Sequence, residues 1–161
     1  MVMVDFHTNK EIVVNASPEV IFSPVGDLPK HQELHGSGES VEVRKLTQGP
    51  TVLDAMIESD ESMTLGGEIH GCTAQSVVVG YETPKTISWI PVPPFPLNRI
   101  QWWFHLSPAG QGTRVTHEVE VDLGEARDMM GGPKAYQNTR GADVARGFEK
   151  TLANLKARAE S

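Results

Sequence analysis

Two neighbouring runs of alternating side chains constrain the fold more than any other feature of this sequence. The apolar face of residues 100–106 carries Ile100, Trp102, Phe104 and Leu106. The corresponding face of residues 113–123 carries Val115, His117, Val119, Val121 and Leu123. A period of two is typical of strands with one buried face, and the intervening SPAGQG predicts a turn. The two runs therefore predict a hairpin in an antiparallel sheet that meets water on one side.

The end of the chain changes to the period of a helix. Within residues 143–159, apolar side chains recur at spacings of three and four, namely Val144, Phe148, Leu152, Leu155 and Ala159. Charged residues occupy the other side. A single apolar stripe of this kind predicts a helix that packs on the core.

The remaining elements are short and are separated by turn residues. Residues 10–16 alternate and predict a strand, with Phe6 in phase if the strand begins early. The sequence Ser-Pro-Glu at 17–19 predicts the start of a short helix that Pro24 and Gly26 end, and residues 28–34 predict a second turn. Further strands are predicted over residues 41–46, 51–57 and 86–90, and residues 66–81 are expected to hold one or two strands, with bulges at the glycines 66, 67 and 71. This segregated order favours an α+β fold, in a single domain of residues 1–161.

Composition narrows the class of partner. The formal net charge is −7, which disfavours nucleic acid and anionic membranes as partners. The apolar fraction of 39% is typical of a globular chain. No apolar stretch is long enough to span a membrane, so we expect no membrane insertion. The lone Cys72 excludes a disulfide within the chain, and no secretory signal is visible. These features predict a cytoplasmic protein.

Four segments in this order resemble the SRPBCC superfamily, which includes START domains, pollen-allergen-like proteins and polyketide cyclase/dehydrase-like proteins. They are EIVVNASPEVIF, VVVGYETPKTISW, FHLSPAGQGTRVTHEVEV and the terminal TLANLKARAE. The resemblance implies a helix-grip fold, in which a curved antiparallel sheet wraps around a long C-terminal helix and encloses an apolar cavity. The chain departs from the pattern in its proline-broken first helix and in GEARDMMGGPKAYQNTRG before the last helix. Both departures are expected to reshape the cavity mouth.

The implied cavity gives the inward faces a role in binding a small hydrophobic molecule. The side chains expected to line it are Phe95, Leu97, Ile100, Trp102, Phe104, Val115, His117, Val119, Val144 and Phe148. Phe95 and Leu97 come from the proline-rich segment 91–97, which cannot pair as a central strand. This segment is therefore expected to form a stiff loop at the cavity entrance.

His117 is the candidate for chemistry because it stands alone among apolar neighbours on its strand face. An imidazole there can orient a ligand carbonyl or transfer a proton, since its pKa lies near neutrality. The alternative is a core histidine bonded to backbone or water. Glu68, His70 and Cys72 on one strand suit either a metal or a polar face turned to solvent. The pair His31 and His35, spaced by four residues, suits either a metal or a polar helix end. No fourth ligand converges on Glu68, His70 and Cys72, and we expect no metal and no cofactor.

Two functions remain open. The first is a carrier or sensor that binds a small hydrophobic ligand without catalysis. The second is an enzyme of the polyketide cyclase or dehydratase type, in which His117, with Asp54 or Tyr81, transfers protons. Trp103, on the opposite strand face from Trp102, predicts either packing under a loop or a contact in a homodimer.

Overall fold

The described residues form one antiparallel sheet and a long C-terminal helix. The structure, a computed structural model, describes residues 3–36, 40–65, 68–93 and 97–161. The strands are β1 (Phe6–Val14), β2 (Ser40–Lys45), β3 (Met56–Leu65), β4 (Glu68–Glu82), β5 (Thr86–Pro91), β6 (Arg99–Ala109) and β7 (Gly112–Asp122). Their order across the curved sheet is β1-β7-β6-β5-β4-β3-β2. The helix-grip prediction is thereby confirmed.

The hairpin of β6 and β7 has the predicted faces and is longer than predicted. Phe104 pairs with His117 and Ile100 with Val121, so the two apolar faces lie on the same side of the sheet. Pairing continues to Ala109 and Gly112, which leaves a turn of two residues. Gly110 adopts a φ of 61°, a conformation that glycine favours. The side that packs against the helices is called the inner face below.

The N-terminal strand closes the sheet beside its last strand. β1 pairs antiparallel with β7 from Phe6 to Val14, so the strand begins early, as the phase of Phe6 predicted. Ser17 then caps helix α1 (Pro18–Val25) by accepting a hydrogen bond from the Val20 amide. A 3-10 turn (Leu28–Lys30) and the single-turn helix α2 (His31–Leu34) follow, as predicted.

The C-terminal helical run begins earlier than predicted. It consists of α3 (Pro133–Tyr136), a π-helical turn (Gln137–Gly141) and α4 (Ala142–Ala159). The predicted stripe of α4 is buried at Val144, Phe148, Leu152 and Leu155. The helical run approaches β1 closely at Gly141, where a Cβ would lie 2.5 Å from the ring of Phe6 unless that ring shifted. The second half of the segment GEARDMMGGPKAYQNTRG is therefore the first part of this helical run.

The segment between β7 and α3 is held by charged groups. The Arg127 guanidinium donates two hydrogen bonds of 2.8 Å to the buried carboxylate of Asp5. The equally buried Asp122 carboxylate accepts a hydrogen bond of 2.7 Å from the Asn98 amide. Asp5 and Asp122 thus tie the N-terminus, the β5–β6 connection and this segment to one end of the sheet.

Three predicted details are wrong or lie outside the described residues. The strand predicted over residues 51–57 is instead β3, because Thr51 to Ala55 form the preceding loop. Gly71 pairs regularly with Ser62, and the irregularity of β4 lies between Val78 and Gly80. The glycines at 66 and 67 and the loop residue Phe95 lie outside the described residues. Among the described residues, no helix is long and apolar enough to cross a membrane.

Candidate ligand-binding site

His117 lies between two phenylalanine rings on the inner face. Its ring is 2% exposed and stacks on Phe104 of β6 and on Phe148 of α4, with centroid distances of 3.9 Å to each. Its Nδ1 lies 2.9 Å from the carbonyl oxygen of Trp103. Because a carbonyl oxygen only accepts hydrogen bonds, Nδ1 donates. The neutral ring then carries its lone pair on Nε2.

Burial keeps this imidazole uncharged. Loss of solvent lowers the pKa of His117 well below its ordinary value of 6.5, and the hydrogen bond to Trp103 opposes the shift without reversing it. At neutral pH the ring is therefore a hydrogen-bond acceptor and a weak base. It cannot act as a cation that pairs with an anionic group.

A second buried histidine meets the same aromatic group from the helical side. His31 of α2 is 4% exposed, and its ring makes edge contacts with Trp89 and Phe104 at centroid distances of 5.1 and 5.4 Å. Its Nε2 lies 2.5 Å from the Val25 carbonyl oxygen. Burial lowers the pKa of His31 to about 4. The interpretation of His31 as part of a polar helix end is thus wrong, because α2 turns this residue into the core.

Two tryptophan rings on the inner face remain partly accessible. Trp89 of β5 pairs with Trp102 of β6, which places both side chains on the side of the helices. Both are only partly buried, whereas Phe104 beside them is 1% exposed. The Trp102 ring makes an edge contact with Phe148 at 6.0 Å. Apolar aromatic surface is thus left open next to His117.

The nine predicted lining residues that the structure describes divide into three groups. Six are buried in the two core clusters: Ile100, Phe104, Val115, Val119, Val144 and Phe148. Leu97 and Trp102 are partly buried and pack against the second cluster. His117 contacts Phe104, Trp102 and Phe148 from this set. Sequence reasoning missed Trp89, although the alternation of Ile87 and Trp89 within residues 86–90 signals that both share the inner face.

Asp54 and Tyr81, the residues predicted to assist His117 in proton transfer, lie away from it. Asp54 is exposed in the loop before β3, and its φ is 65°. Tyr81 makes an edge contact with Phe22 of α1, at a centroid distance of 5.6 Å. No ring contact or hydrogen bond joins either residue to His117 in the described part of the chain. The structure thus gives no support to a proton relay through Asp54 or Tyr81.

The other polar candidates face solvent. Glu68, His70 and Cys72 are exposed along β4, and the chain segments that the structure describes contain no group of three ligands arranged for a metal ion.

Trp103 lies on the outer face, half-buried and stacked on His105 at 6.4 Å. Its contact with a second copy of the chain stays a prediction.

Two pockets open to solvent flank α1 rather than His117. One, of about 300 Å³, lies between α1 and the end of α4 and includes Val20, Lys30 and Arg158. The other, of about 280 Å³, lies between α1 and the loop before β3 and includes Phe22 and Tyr81. Neither of these two pockets includes His117.

The sequence matches a family model over nearly its whole length. The family described as polyketide cyclase / dehydrase and lipid transport matches residues 5–160. No functionally curated protein is significantly similar to the chain in sequence.

Solved structures with the same fold are distant in sequence. The di-domain ARO/CYC BexL of the BE-7585A biosynthetic pathway has a TM-score of 0.75 at 17% identity, over 97% of this chain and 50% of that one. The Zhui aromatase/cyclase from Streptomyces sp. R1128 has a TM-score of 0.69 at 15% identity, over 96% and 93%. Major latex-like protein 151 from Panax ginseng has 0.67 at 10% identity, over 96% and 97%. The chain spans about half the length of the di-domain proteins.

Proposed function

This chain belongs to the polyketide cyclase/dehydrase and lipid transport family, and on that premise we propose that it binds a small, largely apolar molecule between the inner face of the sheet and the C-terminal helix. The observation that carries the proposal is the partial exposure of Trp89 and Trp102, two inward-facing rings beside a closed core. Large apolar side chains that face inward normally lose their contact with water. A flat apolar ligand would cover these rings and gain the stabilisation that burial provides.

His117 supplies the polar contact of the proposed site. Its Nε2 lone pair can accept a hydrogen bond from a ligand hydroxyl, and its low pKa favours uncharged ligands over anions. Around it, the proposed lining consists of Leu97, Ile100, Trp102, Phe104, Val115, Val119, Val144 and Phe148, together with Phe95. A few fixed polar groups among many apolar ones are typical of small-molecule sites.

An uncharged fluorescent probe tests this proposal. We expect N-phenyl-1-naphthylamine to bind saturably to the folded protein and to quench Trp89 and Trp102. Trp102→Phe, which removes a large indole surface from the site, should weaken binding severalfold, whereas Trp103→Phe on the outer face should not. A titration without saturation, or equal effects of both variants, would contradict an interior site.

A second function, cyclase-type proton transfer, is favoured by one specific observation. The neutral ring of His117 holds its Nδ1 proton on the Trp103 carbonyl, which leaves Nε2 as a base in an apolar interior. Two of the proteins with similar structures, the di-domain ARO/CYC BexL and the Zhui aromatase/cyclase, carry cyclase in their names. A base in that position could remove a proton from a carbon next to a ligand carbonyl, or from a hydroxyl.

Replacing His117 by glutamine separates the two functions. In a carrier, His117→Gln should reduce the affinity for a hydroxylated probe by about 1 kcal/mol, the net value of one hydrogen bond. In a cyclase, turnover of short polyketone mimics should fall about 10²–10⁴-fold while binding changes little. We expect the carrier result, because the described residues place no carboxylate on His117. Wild-type turnover that is lost in His117→Gln would refute it.

A further inference from the structure

Two serines on the inner face have no bonding partner for their hydroxyls. Ser59 of β3 is 5% exposed and Ser76 of β4 is 9% exposed. The part of the chain that the structure describes provides no hydrogen bond to either side chain. Among the described residues no fully enclosed side-chain nitrogen or oxygen lacks a hydrogen-bond partner, so both of these hydroxyl oxygens keep some accessible surface. Two accessible hydroxyls that the protein itself does not bond, close together on the inner face, are available to a bound molecule.

The pairing of the strands places both side chains on the inner face. Ser59 is two residues from the buried Ile57, and Ser76 is two residues from the buried Val78. Ile57 pairs directly with Ser76, and Ser59 pairs with Ala74. The two serines are therefore diagonal neighbours on one face, with about 7 Å between their Cβ atoms.

This spacing suits a single oxygen atom between them. Each hydroxyl oxygen lies about 1.4 Å from its Cβ, and an O–H···O hydrogen bond spans about 2.8 Å. One ligand hydroxyl or carbonyl oxygen can therefore reach Ser59 and Ser76 together. A carbonyl would accept from both serines, and a hydroxyl would accept from one and donate to the other.

The serine pair lies at the far side of the proposed site from His117. Strand β4 is separated from β7 by three strand spacings of about 4.8 Å, or roughly 14 Å. Along the strands, Ser76 is level with Pro91 and His117 with Ile87, which adds an offset of about 13 Å. The strands between them are β5 and β6, which carry Trp89 and Trp102. An elongated flat molecule of several rings can extend from the serine pair toward His117 across these tryptophans.

We propose that Ser59 and Ser76 form a polar subsite that binds a hydroxyl or carbonyl oxygen at one end of an elongated, flat, otherwise apolar ligand. The subsite rests on the proposed function, because it selects among ligands that enter the same interior. It defines the ligand class more narrowly, as uncharged molecules with an oxygen at the end remote from His117. The charged ion pairs of β3, between Arg44 and the carboxylates of Glu58 and Asp60, lie on the opposite face and do not contribute.

The test compares biphenyl with 4-hydroxybiphenyl, each measured by displacement of N-phenyl-1-naphthylamine. Wild-type protein should bind the hydroxylated probe about 3- to 10-fold more tightly. The double variant Ser59→Ala, Ser76→Ala should lose this preference and keep its affinity for biphenyl within about twofold. Ser88→Ala is the matched control, because Ser88 is 2% exposed but bonds Gln101 on the outer face. It should keep the preference.

Thermal unfolding without ligand gives an independent readout. Because neither hydroxyl bonds another group of the protein, the double variant should melt at the same temperature as wild type or slightly above it. A lower melting temperature would assign the serines a structural role and overturn the subsite. Equal affinity of wild type for the two probes, or a preference that survives in the double variant, would overturn it while the proposed function stands. Failure of wild type to bind biphenyl at all would overturn both.

Discussion

Phe148→Asp should abolish the soluble, folded protein. Phe148 is 4% exposed, stacks on His117 and makes an edge contact with Trp102. The aspartate would place a carboxylate against these rings with no cation within the second core cluster. Burying an unpaired charge, added to the lost aromatic contacts, costs several kcal/mol or more. That is comparable with the total stability of a domain, which is about 5–15 kcal/mol.

The same charge on the exposed side of the helix is the matched control. Ala153 lies on α4 one turn further along and is exposed, so Ala153→Asp introduces a carboxylate into water. We expect this variant to remain soluble and to unfold within about 0.5 kcal/mol of wild type, apart from a small loss of helix propensity. Soluble Phe148→Asp with an unchanged melting temperature would show that α4 does not pack on the sheet.

The sequence predicted those elements in which one side of a strand or helix is apolar. The hairpin of β6 and β7 and the stripe of α4 are of this kind, because burial of one face imposes a period of two or 3.6 on the residues. The N-cap at Ser17 was also predictable, since a serine before proline and glutamate has a local physical cause. The residues around His117 follow from the same alternation.

Strand β3 could not be predicted in this way. Its outer face carries Glu58 and Asp60, which bind Arg44 of β2 at 2.8 Å each. Its inner face carries Ser59 where an alternating strand would have an apolar residue. A strand that is polar on both sides has no hydrophobic period, and only its pairing with β2 and β4 defines it.

The start of the C-terminal helical run could not be predicted for a different reason. Residues 133–141 contain a proline, a glycine and several polar residues, so they lack an apolar stripe. The π-helical turn shifts the phase of the side chains between α3 and α4. The contact that selects this turn is tertiary: the ring of Phe6 lies against Gly141 and makes an edge contact with Tyr136 at 5.4 Å. Residues more than 120 positions apart determine it.

The burial of His31 in the candidate site also could not be predicted from the local sequence. A histidine in PKHQELHG gives no local sign of burial, because lysine, glutamine and glutamate surround it. Its position depends on how α1 and the 3-10 turn direct α2 onto Trp89 and Phe104. Because His31 and His117 are both buried, the stability of the protein without ligand should depend on pH.

Acidification from pH 7.5 to pH 5 should destabilise the protein by several kcal/mol. Burial lowers the pKa of His31 to about 4 and that of His117 well below 6.5, whereas both titrate near 6.5 in the unfolded chain. Above pH 6.5 neither state binds these protons, and the stability is complete. Below pH 6.5 the unfolded state binds protons that the native state does not, so the free energy of unfolding falls with pH.

The size of the loss in the free energy of unfolding follows from the lowered pKa values of the two histidines. Each unit of pKa difference corresponds to about 1.4 kcal/mol, so His31 alone contributes a loss of about 3 kcal/mol by pH 4, and His117 adds to it in the same direction. Hydrogen bonds from Arg127 to Asp5 and from Asn98 to Asp122 lower the pKa of both carboxyl groups. Their stabilisation is present above the unfolded value near 3.8 and is lost only as the pH falls further. The histidine effect therefore occupies a separate window, between about pH 6.5 and 4.

Urea unfolding at half-unit intervals from pH 7.5 to 4.5 measures this dependence. Wild type should approach a slope of about 2.7 kcal/mol per pH unit near pH 5.5, the value for two protons taken up on unfolding. His117→Gln should roughly halve the slope, because glutamine does not titrate and only His31 remains. His70→Gln, at an exposed position on β4, should leave the slope unchanged. A free energy of unfolding that stays constant down to pH 5 would mean that both imidazoles accept protons in the folded state, and the closed aromatic interior around His117 would then be wrong.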